Sequence, residues 1–541
     1  MKNIFKITKY LVFAVVTTFT LNSCMDDLNV IPEDTSIITD EIFKDNPGAY
    51  KQNLGKLYAG LAVSGPTDAG SSDIQGLDAG YGQYMRAYWV MQEVSTDEAI
   101  LHWGDAGIPE LGTSTWTVSN QFIRAMYLRI AYQARVTSEY LNMTTDSKLN
   151  DRGQSNLIPE VKVYRAETRF LRALSYFNAI DLFGKVGFID ENTVLGTLPV
   201  EKNRKELFDY VESELLAIIP DLKDPRTNEY GRVDKAAAWM LLAKLYLNAE
   251  VWAGTNRYAD CIKMCENIIG AGYTIGTNYN YLFLADNDKN SSSNEFIYTI
   301  PQDGLHLQAY GCMTFVIQAE TLSDYVGISL STGVGGWNGT TTRPELYNKF
   351  TEDDKRALFL SEGVDKDGNK VEHSLDITLL NSDTKFGYGV TKFRNVASDG
   401  TKGSSIDFVD TDYPLFRLGD VYLMYAEAAI RGGVDKTTAL NYVKELRTRA
   451  GITSNLSLTD LTLDFILDER ARELYWEGWR RQDLIRFGKF TGESYKWQWK
   501  GNVHDGTAIS DFRNLYPLPE DQINMNSNLS QNPGYESSTK K

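Results

Sequence analysis

DKAAAWMLLAKLYLNAE, residues Asp234–Glu250, carries the clearest structural signal in the chain. Trp239, Leu242 and Tyr246 are three and four positions apart, and apolar residues keep the same spacing in the next segment, Arg257–Ile269. This spacing indicates one apolar face on each of two helices, and such a face must pack against another element. We therefore predict a pair of helices that bury their apolar faces against each other.

The pattern of Trp, Leu-Ala and Tyr followed by a second helix resembles a tetratricopeptide unit, in which helix pairs stack on their neighbours. The same periodicity predicts further helices at 46–62, 118–143, 160–183, 204–219, 418–431, 436–450 and 461–487. We expect a mostly α chain whose helix pairs occupy about 118–143, 160–270 and 418–487.

The segment at about 271–417 has a different composition, rich in Gly, Ser, Asn, Asp and Thr, with one predicted strand at Phe296–Ile300. Long irregular insertions inside a packed domain are usually functional or disordered. Because this one contains apolar segments, we expect it to be ordered and functional.

The amino terminus has the pattern of a secretion signal. Three lysines precede the apolar run Tyr10–Thr20, which is shorter than the roughly 20 residues that cross a membrane. Leu21–Cys24 then resembles a bacterial lipobox. We predict a lipoprotein signal peptide at 1–23, a lipid on Cys24 and an acidic tether at 24–40. An ordinary cleaved signal with an incidental cysteine is the alternative.

Composition excludes several functional classes. The formal charge of −17 argues against nucleic-acid binding, which needs a basic face.

Cys261 and Cys265 share a helix face but have no clustered histidines to complete a metal site. No nucleotide-binding P-loop, esterase elbow or zinc-protease motif is present in the sequence.

Four motifs occur in a fixed order, and together with the lipobox they resemble the RagB/SusD family of Bacteroidetes outer-membrane lipoproteins. They are AETRFLRALSYF at 166–177; YPLFRL at 413–418; DERAREL at 468–474 with EGWRRQDL at 477–484; and YPLP at 516–519 with QNPGY at 531–535.

The resemblance implies a mostly α, SusD-like fold as one domain over 41–541, with tetratricopeptide-like helix pairs as scaffold and irregular loops and short strands forming a glycan site. It implies a cell-surface, lipid-anchored protein of the outer membrane that is not an enzyme and requires no cofactor. It also implies a partner, a SusC-like TonB-dependent transporter, to which the protein delivers its glycan.

Similarity to starch-binding members of the family implies the ligand, starch or malto-oligosaccharides, and the site. Trp103, Tyr310 and Trp337 match an aromatic arc, and Arg86 matches an arginine beside it. Asp105 is the substitute for an asparagine that has no clear counterpart. Aromatic rings cover the apolar face of a pyranose, while an arginine donates hydrogen bonds to its hydroxyls.

The chain departs from that pattern at Leu101, where an aromatic is expected, and in a shortened loop at 104–107. Without the resemblance, each tryptophan could instead plug the core beneath its loop, and Arg86 could be an ordinary surface charge. The ligand could also be another glycan, such as a fructan or pectin. A protein adaptor that uses a tetratricopeptide groove and a glycoside hydrolase are further alternatives.

Two groups of carboxylates could each serve either the structure or the chemistry of the protein. Glu469, Glu473 and Glu477 are four apart, which fits ion pairs along one helix face better than a catalytic pair. Oxygen-rich loops that include Asp288, Asp410 and Asp412 could hold Ca²⁺, or could be solvated turns.

Overall fold

The computed structural model describes residues 40–44, 46–325, 336–380, 384–453 and 455–535. The predicted signal peptide, the lipidation residue Cys24 and the tether up to residue 39 lie outside these ranges. In the unit that precedes Pro47, the structure describes the short helix α1 (Asp40–Lys44). The other helices and all the strands of the described residues belong to the unit that starts at Pro47.

Helices dominate this unit. They are α2 (Ala49–Ala62), α3 (Tyr84–Trp89, continued by one π-helical turn, Val90–Val94), α4 (Ile108–Gly112), α5 (Gln121–Met143), α6 (Asp146–Asp151), α7 (Ile158–Leu182), α8 (Arg204–Ile218), α9 (Lys235–Leu247), α10 (Ala249–Ala253), α11 (Tyr258–Ile269), α12 (Cys312–Glu320), α13 (Pro344–Tyr347), α14 (Leu418–Gly432), α15 (Lys436–Arg449), α16 (Leu463–Leu474), α17 (Arg480–Arg486) and α18 (Glu520–Met525).

The strands are short and pair two by two. They are β1 (Ala99–Leu101), β2 (Lys185–Phe188), β3 (Val200–Asn203), β4 (Phe296–Ile300), β5 (Thr340–Thr342), β6 (Phe359–Leu360), β7 (Glu362–Val364), β8 (Lys370–Glu372), β9 (Gly389–Val390) and β10 (Tyr413–Arg417). The antiparallel pairs are β1–β5, β2–β3, β4–β10, β6–β9 and β7–β8. The expected mostly α fold is confirmed, and so is the strand predicted at Phe296–Ile300.

The helices pack in succession, α5 on α7, α7 on α8, α9 on α11 and α11 on α14. Helix α9 is buried on nearly all sides rather than on one face, which marks it as a central element of the core. Its Lys244 is buried too, where it pairs with Asp420 and lies 3.3 Å from the ring centre of Trp479.

The prediction of a single helix at 461–487 is wrong. The chain leaves the helix at Tyr475 and re-enters it at Arg480, and Trp476 (φ 63°) and Gly478 (φ 84°) adopt left-handed conformations. A Cβ on Gly478 would lie 2.7 Å from the hydroxyl of Tyr413, so only glycine fits this turn. The local spacing could not reveal a break that is imposed by a neighbour 65 positions earlier in the chain.

Arg417, at the end of β10, is the centre of a buried ion network. Its guanidinium donates to Glu477 at 2.6 and 2.7 Å, to Glu473 at 2.6 Å and to Glu295 at 2.9 Å. These four side chains are at most 1% exposed. Because Glu295 immediately precedes β4 and Glu473 lies in α16, the network joins the β4 region and the carboxyl end of the 271–417 insertion to the helical scaffold.

Further charges extend the network. Arg356 donates to Glu469 at 2.7 Å and to Glu473 at 3.1 Å, Arg449 pairs with Glu295 and Glu473, and Lys392 pairs with Glu477 at 2.8 Å. Burial acts to raise the pKa of Glu473, but its three arginines hold that pKa well below its usual range.

The predicted ion pairs along one helix face are therefore wrong for Glu473 and Glu477. The arginines and lysine that neutralise these two carboxylates come from β10, the insertion and α15 instead, and Glu477 lies in the turn after α16. The structural interpretation of these carboxylates stands.

We expect Arg417→Met to lower the free energy of unfolding by about 3–5 kcal/mol, because it leaves buried carboxylates without their shared cation. Urea denaturation followed by tryptophan fluorescence measures the change. The matched control is Lys205→Met, which removes an exposed ion pair with Asp209 and should cost less than about 1 kcal/mol. Equal losses in the two variants would contradict the central role of the network.

Candidate functional site

Pairing of β1 with β5 brings two predicted site residues together. Leu101 lies opposite Thr340, so Trp103, two residues after β1, meets Trp337, three residues before β5. The ring centroids are 6.3 Å apart at an interplanar angle of 47°, and the Trp103 indole N–H donates to the Trp337 carbonyl at 3.2 Å. Both indoles are half-buried.

The carboxyl end of α12 holds the Trp337 segment. Carbonyl groups at a helix end lack partners within the helix and accept hydrogen bonds from outside it. Here the N–H of Trp337 donates to Gln318 at 2.7 Å and the N–H of Gly339 donates to Ala319 at 2.9 Å. Trp103 rests directly on Gly339, where a Cβ would lie 2.7 Å from two atoms of the indole.

Tyr310 extends the arrangement from the other end of α12. Its ring centroid lies 6.2 Å from that of Trp337 at 53°, and the residue is 43% exposed. Gln83 ties this end of α12 to α3, because its side-chain carbonyl accepts from the N–H of Cys312 at 2.9 Å and from the N–H of Arg86 at 2.8 Å.

Phe408 is a neighbour that the sequence analysis missed. Its ring centroid is 5.5 Å from that of Tyr310 at 39°, and the side chain is half-buried. Trp103, Trp337, Tyr310 and Phe408 thus form a continuous series, here named the aromatic row. An aromatic residue in the polar stretch 401–410 was the available signal, but nothing local linked it to Tyr310.

Arg86 lies beside the row. Its guanidinium carbon is 4.4, 5.7 and 5.9 Å from the ring centres of Phe315, Trp103 and Trp337, and Nη1 donates to the Tyr310 carbonyl at 2.9 Å. Its Nε, by contrast, is buried without a protein partner. Burial lowers the pKa of Arg86 to about 10 against the opposing charges of Asp78 and Asp105, so the side chain stays cationic at neutral pH.

The remaining predicted positions, Asp105 and Leu101, differ in their relation to the aromatic row. Asp105 is exposed in the loop after Trp103, close enough to Arg86 to influence its charge. Leu101 is buried within β1 and adds nothing to the exposed surface of the row. Phe315, a second residue that sequence reasoning missed, is fully buried behind Arg86 and supports it.

The segment just before β1 supports the site through buried carboxylates. Asp97 accepts two hydrogen bonds from Arg480 at 2.7 Å, Glu93 accepts from the N–H of Gly478 at 2.6 Å, and Glu98 accepts from the N–H of Trp476 at 3.1 Å. These carboxylates are buried. They connect the turn between α16 and α17, and the first residue of α17, to the strand that leads to Trp103.

The calcium prediction for Asp288, Asp410 and Asp412 is not supported. Within the described ranges, no three His, Cys, Asp or Glu side chains are grouped so that they could hold a metal ion. Asp410 accepts from the N–H of Gly304 at 2.8 Å, and Asp412 accepts from the Tyr230 hydroxyl at 2.5 Å and the Gln302 N–H at 2.7 Å. Burial also raises the pKa of Asp412 to about 7, which disfavours the charge that a cation needs.

Comparison with known proteins decides the family. The SusD family model matches residues 282–535. The chain is 35% identical to the starch-binding protein SusD of Bacteroides thetaiotaomicron, over 95% of this chain and 96% of that protein. This chain belongs to the SusD family. It is also 26% identical to a SusD-like protein of Bacteroides ovatus, over 66% of this chain and 69% of that one.

Solved structures of the SusD superfamily share the fold. A member from Parabacteroides distasonis superposes with a TM-score of 0.70 at 22% identity and covers 92% of this chain and 100% of its own. Surface glycan-binding protein A from Bacteroides thetaiotaomicron, in complex with laminarihexaose, gives a TM-score of 0.64 at 19% identity, covering 89% and 98%.

Membership of the SusD family establishes the general role of the chain. It is a SusD-like surface glycan-binding protein, and it is not an enzyme. Proteins of this family are associated with the cell surface and the outer membrane. Among the residues for which the structure is described, no helix has both the length and the apolar character needed to traverse a bilayer.

We expect Gly339→Ala to displace the Trp103 indole, because the added methyl group overlaps the ring. The variant should lose about 1–3 kcal/mol of stability and shift tryptophan emission to longer wavelength. Thermal melting and fluorescence spectra measure both effects. Gly104→Ala is the matched control, since a Cβ there meets no atom within 4 Å. Unchanged spectra in the Gly339 variant would contradict the described contact.

Proposed function

We propose that this SusD-family protein captures starch or malto-oligosaccharides on the aromatic row. The observation that carries the proposal is the geometry of Trp103, Trp337 and Tyr310, whose successive rings are 6.3 and 6.2 Å apart and tilted by 47° and 53°. A series of tilted rings offers a bent apolar surface, which suits a helically curved glucan better than a flat one. The identity of 35% to a starch-binding protein supports the same ligand.

Polar groups beside the rings supply hydrogen bonds to the sugar. Arg86 remains cationic at neutral pH, and its buried Nε–H has no protein acceptor. A guanidinium has five N–H donors and the Tyr310 carbonyl accepts from Nη1, so other N–H groups of Arg86 are available to donate to ligand hydroxyls. Asp105, exposed at the edge of the row, accepts hydrogen bonds from hydroxyls of the same glycan.

The captured glycan then passes to a SusC-like TonB-dependent transporter in the outer membrane. The protein remains at the surface through a lipid on Cys24, after removal of the signal peptide 1–23, and the acidic tether 24–40 follows Cys24 in the sequence. Several acyl chains give stable anchoring, whereas one chain alone binds a membrane reversibly.

We expect the double variant Trp103→Ala, Trp337→Ala to lose detectable binding to maltoheptaose and α-cyclodextrin, because it removes half of the aromatic row. Isothermal titration calorimetry of a form that begins after Cys24 measures the change. Trp499→Ala is the control, since it removes another half-buried indole that contacts His504 instead of the row. Retained binding in the double variant would contradict the proposed site.

A second candidate ligand is a β-glucan, because one structural neighbour was solved with laminarihexaose. The same titrations with laminarihexaose distinguish the two. Binding of laminarihexaose but not of maltoheptaose would replace starch with the β-glucan as the ligand.

For the anchor, we expect Cys24→Ser to abolish incorporation of an alkyne-labelled palmitate and to release the protein from the membrane fraction. Labelling followed by fractionation of the expressing cells measures both effects. The control is Cys312→Ser, which alters a buried cysteine far from the signal and should leave labelling intact. Labelling of the Cys24 variant would contradict the lipid anchor.

A further inference from the structure

Phe408 is the member of the aromatic row that neither the motifs nor the predicted arc contains. It contacts Tyr310, and Tyr310 in turn contacts Trp337, so Phe408 continues the series beyond its expected end. The spacing of 5.5 Å between Phe408 and Tyr310 is close to the other two spacings, 6.2 and 6.3 Å. The distances between neighbouring ring centroids along the row are therefore similar.

The turn that carries Phe408 is fixed from two sides. On one side, α12 holds it, because the Gln318 amide donates to the Ile406 carbonyl at 2.9 Å and the Thr314 hydroxyl accepts from the N–H of Val409 at 3.4 Å. The same helix positions Trp337 and Tyr310. A shared support fixes the positions of the rings relative to one another before a ligand binds.

On the other side, Asp410 joins the Phe408 turn to the loop that leads to Tyr310. Its carboxylate accepts from the Ser404 N–H and hydroxyl at 2.6 and 2.7 Å and from the Gly304 N–H at 2.8 Å. The two backbones approach so closely that a Cβ on Gly304 would lie 2.7 Å from the Phe408 carbonyl oxygen. The carboxylate suggested as a calcium ligand thus orders the end of the row.

We propose that Phe408 forms an additional subsite, which stacks on one more sugar ring and gives this protein a preference for longer glucan chains. The inference rests on the proposed function, because it assumes that the row binds a glucan. Stacking in pairs of aromatic rings is worth about 0.5–1.5 kcal/mol, and we expect a sugar ring stacked on Phe408 to gain free energy on the same scale. A contribution of this size strengthens binding about 2- to 12-fold, but only for ligands long enough to reach the subsite.

Calorimetric titration of the wild-type protein and Phe408→Ala with malto-oligosaccharides of three to eight units tests the proposal. We expect Phe408→Ala to bind the longest oligosaccharides about 2- to 12-fold more weakly and maltotriose with unchanged affinity. Phe408→Tyr should restore the wild-type length dependence, whereas Phe408→Leu, which keeps the apolar volume but has no ring face, should not. Phe465→Ala, at a half-buried phenylalanine in α16, is the control.

Three results would overturn the subsite. They are wild-type affinity of Phe408→Ala at every chain length, an equal loss at every length, and full recovery with leucine. An equal loss would mean that Phe408 only supports Tyr310. Failure of the proposed function looks different, because the wild-type protein itself would then bind no malto-oligosaccharide of any length. Thermal melting of each variant verifies that the fold is retained.

Discussion

The structure depends on one buried constraint, the neutralisation of Arg417 by Glu295, Glu473 and Glu477. A charge removed from water is tolerated only where opposite charges and hydrogen bonds surround it. The partners of Arg417 come from the segment before β4, from α16 and from the turn that follows α16. Arg417 can pair with all three carboxylates at once only when the insertion packs against the helical scaffold in one arrangement.

The same framework reaches the aromatic row. The turn after α16 is bound by Glu93 and Glu98, Asp97 is bound by Arg480, and the chain then passes directly into β1 and Trp103. The rings of the aromatic row therefore rest on buried ionic and hydrogen-bonded supports rather than on unsupported loops. A surface that is ordered before binding loses little conformational entropy when a flexible oligosaccharide settles on it.

Carboxylates have a consistent structural use in this acidic chain. The insertion contains oxygen-rich loops that suggest a cation site, yet Asp410 and Asp412 accept hydrogen bonds from backbone N–H and hydroxyl groups and so join neighbouring loops. Loop composition reveals which acceptors are available, but not which donors reach them. For this reason loop composition suggested calcium ligands, whereas the structure shows carboxylates that bind neighbouring loops.

The sequence by itself determined the mostly helical fold, the family, and the aromatic and arginine side chains Trp103, Trp337, Tyr310 and Arg86 as candidates. These depend on local periodicity and on motifs of adjacent residues, which can be recognised from the order of residues alone. Only the tertiary structure decided the break at 475–479, the partners of Arg417 and the place of Phe408 in the row. Each of these is set by contacts between segments far apart in the chain, such as Tyr413 against Gly478, and no local pattern encodes which distant groups meet.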